Sequence, residues 1–437
     1  MVQWFVGIGA IKTDSERMKV FKFGGASVRN AEGVRNVANV LRQFPTDDVV
    51  VVVSAMGKTT NALERIVWAW RKGENVKTEL LALRGLHLAV LDEVVPEFEE
   101  AEVWLNESFN ELEELLTGSP TGNADQDYDQ IVSYGELWST MIISAYLSVS
   151  LEHCSWMDAR ELVRTDAKYR AARVDWESSA ALVQESFASG PDQEPVQFPV
   201  VVQGFIGATE EGFTTTLGRE GSDFSAAILA YLLDAESVTI WKDVPGMFNA
   251  DPNRFPDTKL LSHISYHEAI ELSYFGASVI HPRTLQPLQK KNIPLYVRSF
   301  VDLKAPGSMI DQRSEKDSLI PSFIVKGDQL LISITPRDLS FIVEDNLSDI
   351  FSRFAKANVR IDLMQNSAVA FSVVVDDIPR SRALVDELSA DYQVRYNSGL
   401  ELVTVRHYDE DTLEQLLNDK TILIEQRSRI TARFVVK

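Results

Sequence analysis

Five consecutive valines, Val49–Val53, constrain the fold of this chain more than any other stretch. Valine branches at Cβ, which stiffens the side chain, weakens helix and favours the pleated strand. Side chains alternate across a strand, so a run that is apolar at every position needs cover on both faces. A central strand of a parallel sheet with helices on each side meets that need. Shorter β-branched or aromatic runs fit the same plan at 20–23 (VFKF), 200–202 (VVV), 238–241 (VTIW) and 294–297 (PLYV). Helical patterns fall at 61–71, 134–147, 223–233 and 284–290, with an acidic amphipathic stretch near 96–116. Strands alternating with helices predict an α/β domain with a mostly parallel sheet sandwiched by helices.

At 437 residues the chain exceeds what one hydrophobic core organises, so several domains are expected. Lys and Arg total 43 against 64 for Asp and Glu, a net charge of −21. That charge repels a nucleic-acid backbone or an anionic bilayer, so neither is an expected partner, and an anionic substrate needs a few local cations. The single cysteine, Cys154, excludes an intramolecular disulfide and a cysteine-cluster metal site, which fits the cytoplasm. Residues 1–17 are apolar at first but lack a basic leader, and read as an extension or over-long start before Met18. Polar, turn-rich stretches at 118–129 and 189–199 read as surface loops, the second marking the passage between an N-lobe (18–198) and a C-lobe (199–303). Residues 304–319 read as a linker to a separate region, 320–437.

That last region repeats itself. IDLMQNSAVAFSVVV and ILIEQRSRITARFVV each read as strand, polar turn, strand, with Gln365 and Gln426 in register. Each follows a helical stretch, 345–357 or 409–418, and before it a strand, LLISI or LELVTV. A further helix at 381–389 completes the first copy, while the second is shortened. Two small α+β modules of a kind that pair edge to edge are expected.

Several residue groups carry possible chemistry. In VFKFGGASV, Gly24 and Gly25 let backbone N–H groups approach a phosphate beside the Lys22 ammonium; a strand-edge lysine before a turn is the plainer reading. In VVVVVSAMGKTT the leading glycine of a P-loop is missing, so this is no Walker A site. Ser54 and Thr60 nonetheless fall where open α/β sheets bind ligands, although Thr60 taken alone reads as a helix cap. TTLGREGSD places Gly218, Arg219 and Gly221 before a helix opened by Ser222 and Asp223. N–H groups, a helix dipole and a guanidinium able to grip a carboxylate meet there; an N-cap role explains Ser222 or Asp223 alone. Lys242, Asp243 and Phe248 in WKDVPGMFNADPN suit a nucleotide or a generic loop. Glu136 in YGELW suits a helix dipole or a ligand ammonium.

Taken in order, KFGGASV, SAMGKTTN, YGE, QGFIG, TTLGREGSD, WKDVPGMFNADP and FGASVIHP resemble the aspartate kinases of the amino-acid kinase family. The resemblance covers about 18–300, and the repeat beyond is similar to the tandem ferredoxin-like ACT modules these enzymes carry. It implies phosphoryl transfer from ATP, with Mg²⁺ held mainly by nucleotide phosphates, to L-aspartate at the head of lysine, threonine and methionine synthesis. No metal site of the protein's own is implied. Lys22 is then implied to stabilise the transferring group and Asp223 to organise the cations around it. Arg219 holds the acceptor's α-carboxylate and Glu136 its ammonium, with Ser54, Thr60 and Ser222 lining the pocket. ATP meets Lys22, Gly24, Gly25, Lys242, Asp243, Phe248, Asn253 and Ser278. Ser278 stands where many relatives carry lysine and Asn253 where arginine is frequent. A homodimer through the ACT region is implied, and an amino-acid effector would lie near Asp345, Met364, Gln365, Asn366 and Ser367. A kinase of another small carboxylate and a weakly catalytic regulatory subunit are the rival readings.

Overall fold

The computed structural model describes residues 18–188, 195–277, 280–338 and 340–437. Its strands are β1 (Lys19–Phe23), β2 (Val49–Val53), β3 (Ser155–Met157), β4 (Val200–Gln203), β5 (Ile206–Ala208), β6 (Thr214–Thr216), β7 (Ser237–Lys242), β8 (His263–Ser265), β9 (Leu295–Ser299) and β10 (Ser308–Asp311), followed by β11 (Ser322–Pro336), β12 (Leu363–Asn366), β13 (Phe371–Asp376), β14 (Tyr392–Arg406), β15 (Ile422–Arg427) and β16 (Thr431–Val436). The chain divides into two compact units. One comprises Met1–Met247, Leu260–Ile270 and Val279–Ser314; the other comprises Phe248–Lys259, Glu271–Ser278 and Glu315–Lys437.

The first unit is built on a sheet ordered β3-β4-β2-β1-β7-β9-β10-β8. Its pairings are parallel except where β10 runs against β9. The five valines are fully apolar because both faces are covered. Val49, Val51 and Val53 enter a core with Phe21, Phe23, Trp241 and the helices Ala31–Leu41, Thr59–Arg71 and Tyr134–Ser150. Val50 and Val52, equally buried, point to the opposite face, where the helix Gly221–Leu232 packs on β1, β2 and β7. The sheet runs unbroken across the expected lobe boundary, since β4 lies between β3 and β2.

Two sequence expectations need correcting. The stretch read as a loop at 118–129 carries most of the helix Ala124–Val132, started by Asn123, whose side chain accepts from the N–H groups of Asp125 and Gln126. The stretch read as a linker at 304–319 contributes β10, a strand of the large sheet. Of the loop expected at 189–199, residues 189–194 lie outside the described residues, as does the 1–17 extension.

The second unit is one antiparallel sheet ordered β12-β13-β11-β14-β16-β15. Its first repeat runs from the later half of β11 through the helix Glu344–Lys356, β12, β13 and the helix Pro379–Asp391 to the early half of β14. The second runs from the later half of β14 through the helix Glu410–Leu417, β15 and β16. The shortened second repeat acquires its missing edge from upstream, because Ser322–Lys326 of β11 pairs with Leu402–Arg406 of β14. The end strands also approach one another: Gln426 Nε2 donates to the Met364 carbonyl at 2.6 Å.

Candidate active site

Because β1, β2 and β7 are parallel, their C-terminal ends share one edge of the sheet, and Lys22 sits there in register with Val52 and Ile240. Its Nζ lies 2.6 Å from Asp223 Oδ1, and Lys242 Nζ lies 3.9 Å from Asp223 Oδ2. Lys22 and Asp223 are both buried. One carboxylate thus stands between two ammonium groups at the N-terminus of the helix Gly221–Leu232, whose first N–H groups lack helical partners. Neither Ser222 nor Asp223 caps that helix. The N-cap position is held by Glu220 in the left-handed region at φ 54 without a side-chain cap bond, leaving Ser222 and Asp223 in the first turn. Thr60 is likewise no cap, since Thr59–Arg71 is entered through Lys58.

A cavity of about 510 Å³ opens beside this cluster, with Ser54, Thr60, Glu136, Arg219 and Ser222 in its lining together with Lys22, Asp223 and Lys242. Glu136 lies in the first turn of Tyr134–Ser150 and is buried. Its Oε1 accepts from Ala55 N at 3.3 Å, while Oε2 has no hydrogen-bond partner among the described residues. Burial pushes its carboxyl up to about 8. A buried, unpartnered carboxylate oxygen is costly, and a cationic ligand group in the cavity relieves it. Arg219 is exposed and makes no hydrogen bond or ion pair among the described residues. One wall thus suits an ammonium and a carboxylate, and the other suits phosphate.

The remaining expected residues fall elsewhere. Gly24, Gly25 and Asp243 are not in the lining. Gly25 is required by close packing of two turns: a Cβ there would lie 2.5 Å from the Ala55 carbonyl oxygen. Phe248 and Asn253 belong to the second unit, where Asn253 N and Nδ2 both donate to Asp251 Oδ1. Ser278 lies outside the described residues. Asp345 is exposed in the first turn of Glu344–Lys356, and Met364–Ser367 are exposed along and just beyond β12. Sequence reasoning missed Tyr128, Arg170, Phe205, Thr216 and Glu220, all of which line the cavity. Phe205, Thr216 and Glu220 lay inside the quoted QGFIG and TTLGREGSD motifs, so their signal was present; Tyr128 and Arg170 lay in no motif.

A parallel α/β sheet with ligand-facing cations at its C-terminal edge defines the class, and the comparisons give it a name. The chain belongs to the amino acid kinase family, whose model matches residues 17–299. Within that family its similarity is to aspartokinases. It is 30% identical to lysine-sensitive aspartokinase 3 of Escherichia coli (strain K12) over 88% of this chain and 86% of that protein. It is 36% identical to bifunctional aspartokinase/homoserine dehydrogenase 1, chloroplastic, of Zea mays over 68% of this chain. The chain spans 33% of that plant relative and 42% of a second one from Zea mays. Among solved structures, E. coli aspartokinase III in complex with lysine and aspartate superposes with a TM-score of 0.78 at 28% identity, covering 96% of each chain.

Proposed function

We propose that the protein transfers the γ-phosphoryl group of ATP to the side-chain carboxylate of L-aspartate, giving 4-phospho-L-aspartate and ADP. The observation that carries this reading is the pairing of a Lys22–Asp223–Lys242 cluster with an unpartnered Glu136 oxygen and an uncommitted Arg219 around one cavity. Arg219 receives the α-carboxylate and Glu136 the ammonium, which points the side-chain carboxylate toward the lysines. One of its oxygens bonds to the γ-phosphorus as the bond to the bridging β,γ-oxygen breaks, so no proton need move. Lys22 and Lys242 neutralise charge on the transferring oxygens, and Asp223 holds both lysines in place. Ser54, Thr60 and Ser222 complete the acceptor side.

Mg²⁺ enters with ATP, held by its phosphates. Among the described residues no cluster of three or more His, Cys, Asp or Glu gathers to hold an ion. The E. coli relative is named lysine-sensitive, and its solved complexes hold aspartate with lysine or with ADP. We extend the proposal to an amino-acid effector acting through the second unit, to a homodimer joined there and to a cytoplasmic setting; no described helix is long and apolar enough to cross a membrane.

The test is to incubate pure protein with MgATP and single amino acids and trap acyl phosphate with hydroxylamine. Hydroxamate with aspartate alone supports the proposal. Hydroxamate only with another acid moves it to that acceptor, and none with any acid overturns it. Unchanged rates on adding lysine or threonine reject those two as effectors.

A further inference from the structure

Arg170 shares the cavity with Glu136 and Arg219, yet lies in none of the motifs that mark the site. Its backbone sits at φ 62, a left-handed conformation that arginine seldom adopts. The turn is pinned from two sides. Asp129 Oδ2 accepts from Arg170 N at 3.0 Å, and the left-handed Gly218 lies so close that a Cβ there would come within 2.9 Å of the Arg170 carbonyl oxygen. The guanidinium lies 4.2 Å from the centre of the Tyr128 ring. It donates no hydrogen bond among the described residues: the nearest carboxylates, Asp125 at 3.6 Å and Glu64 at 3.9 Å, stand beyond that reach. A planar group with five donors is therefore oriented by an aromatic face and two loosely paired carboxylates, with its hydrogen-bonding capacity unspent in a ligand cavity.

Asp129 supplies the rigidity behind this placement. It is fully buried in Ala124–Val132 and also accepts from Thr216 N and Thr216 Oγ1, each at 2.7 Å. Its neighbour Gln130 donates to the Thr214 carbonyl at 2.7 Å and accepts from Thr214 N at 3.3 Å. Two side chains thus stand in for a neighbouring strand along β6, which leads directly into Gly218 and Arg219.

We infer that Arg170 is a second guanidinium for the acceptor, taking one carboxylate of a small amino dicarboxylate while Arg219 takes the other, with Asp129 as the residue that positions it. This rests on the carboxylate-kinase reading. An acceptor of that class then meets a separate partner for each of its three charges, which discriminates against monocarboxylates and against longer or shorter spacers.

Arg170→Gly is the decisive variant, because glycine suits φ 62 and the guanidinium is removed without strain. In the hydroxylamine assay, KM for aspartate is expected to rise about tenfold or more and kcat to fall with it, because the carboxylate Arg170 holds is the one that attacks phosphorus, while KM for ATP stays within about threefold and Tm does not fall. Arg170→Lys is expected to recover only part of the loss, since it keeps charge without the planar fork. Asp129→Asn should raise KM for aspartate in the same direction, and the double variant should be no worse than Arg170→Gly alone if Asp129 acts through Arg170. An aspartate KM within twofold of wild type in Arg170→Gly, or a rise in the ATP KM instead, overturns the inference. Additive effects in the double variant overturn the role of Asp129. Wild-type protein that phosphorylates no carboxylate overturns the kinase reading and this inference with it, whereas active wild type beside an unaffected Arg170→Gly overturns the inference alone.

Discussion

Lys22 and Asp223 are buried as a pair, so removing one leaves the other desolvated beside a weaker partner. Lys22→Met keeps the packing of the stem and deletes only the charge; it is expected to cut kcat on the order of 10²-fold or more while circular dichroism stays native. Activity within tenfold of wild type removes Lys22 from phosphoryl transfer. Glu136 makes a pH prediction. Its carboxyl is raised by burial from 4.5 to about 8, so it binds a proton in the folded protein that it loses on unfolding at neutral pH. Such a group favours folding below pH 4.5 and loses that contribution as pH rises through about 8. The ligand-free protein should therefore lose Tm across this window, and Glu136→Gln should flatten the loss. Aspartate binding favours the charged carboxylate, so wild-type affinity should improve as pH rises toward 8, and Glu136→Gln should raise KM for aspartate about tenfold or more. A parallel pH–Tm slope in the variant contradicts the burial argument. Lys22, Glu136, Arg219 and Asp223 were legible because charge beside glycine at a strand end or helix start is a local pattern. Arg170 was not, since the Asp129 carboxylate that pins its turn reaches across 41 residues.

Among elements, those decided by local sequence were read correctly and those decided by neighbours were not. Val49–Val53 announces a doubly covered strand through its side chains alone. β10 does not, because its four residues, SMID, become a strand only where β9 and β8 flank them. The helix Ala124–Val132 was hidden by acidic and polar residues that serve as clamps: Asp127 pairs with Arg71, and Asp129 and Gln130 hold β6. Asn123 followed by Asp125 in the first turn was a start signal that turn-rich surroundings masked. The turn after β1 is held against the turn after β2, where Gly57 N donates to the Gly25 carbonyl at 2.9 Å. Gly25→Ala is expected to push these turns apart, lowering Tm by several degrees and raising KM for ATP. An unchanged Tm shows that the turns yield at no cost.

The whole molecule divides into two compact units with separate cores, and a core lesion should report on its own unit. Phe434 is fully buried against Val403, Val405 and Leu413 in the second unit. Phe434→Ala is expected to cost about 3–5 kcal/mol. Scanning calorimetry should show this as a fall in one transition with the other unmoved; equal displacement of both rejects independent units. The repeat in this unit was legible from sequence, but its completion was not, because the strand that closes the second copy precedes the first. That arrangement has a consequence during synthesis. The first copy can close once the early half of β14 leaves the ribosome, whereas Ser322–Lys326 stays an open edge until the later half of β14 follows. The next edge along must then wait for β16. The earliest segment of the sheet is thus among the later ones sealed, and a nascent chain stalled between the repeats presents a ready template for strand addition by another.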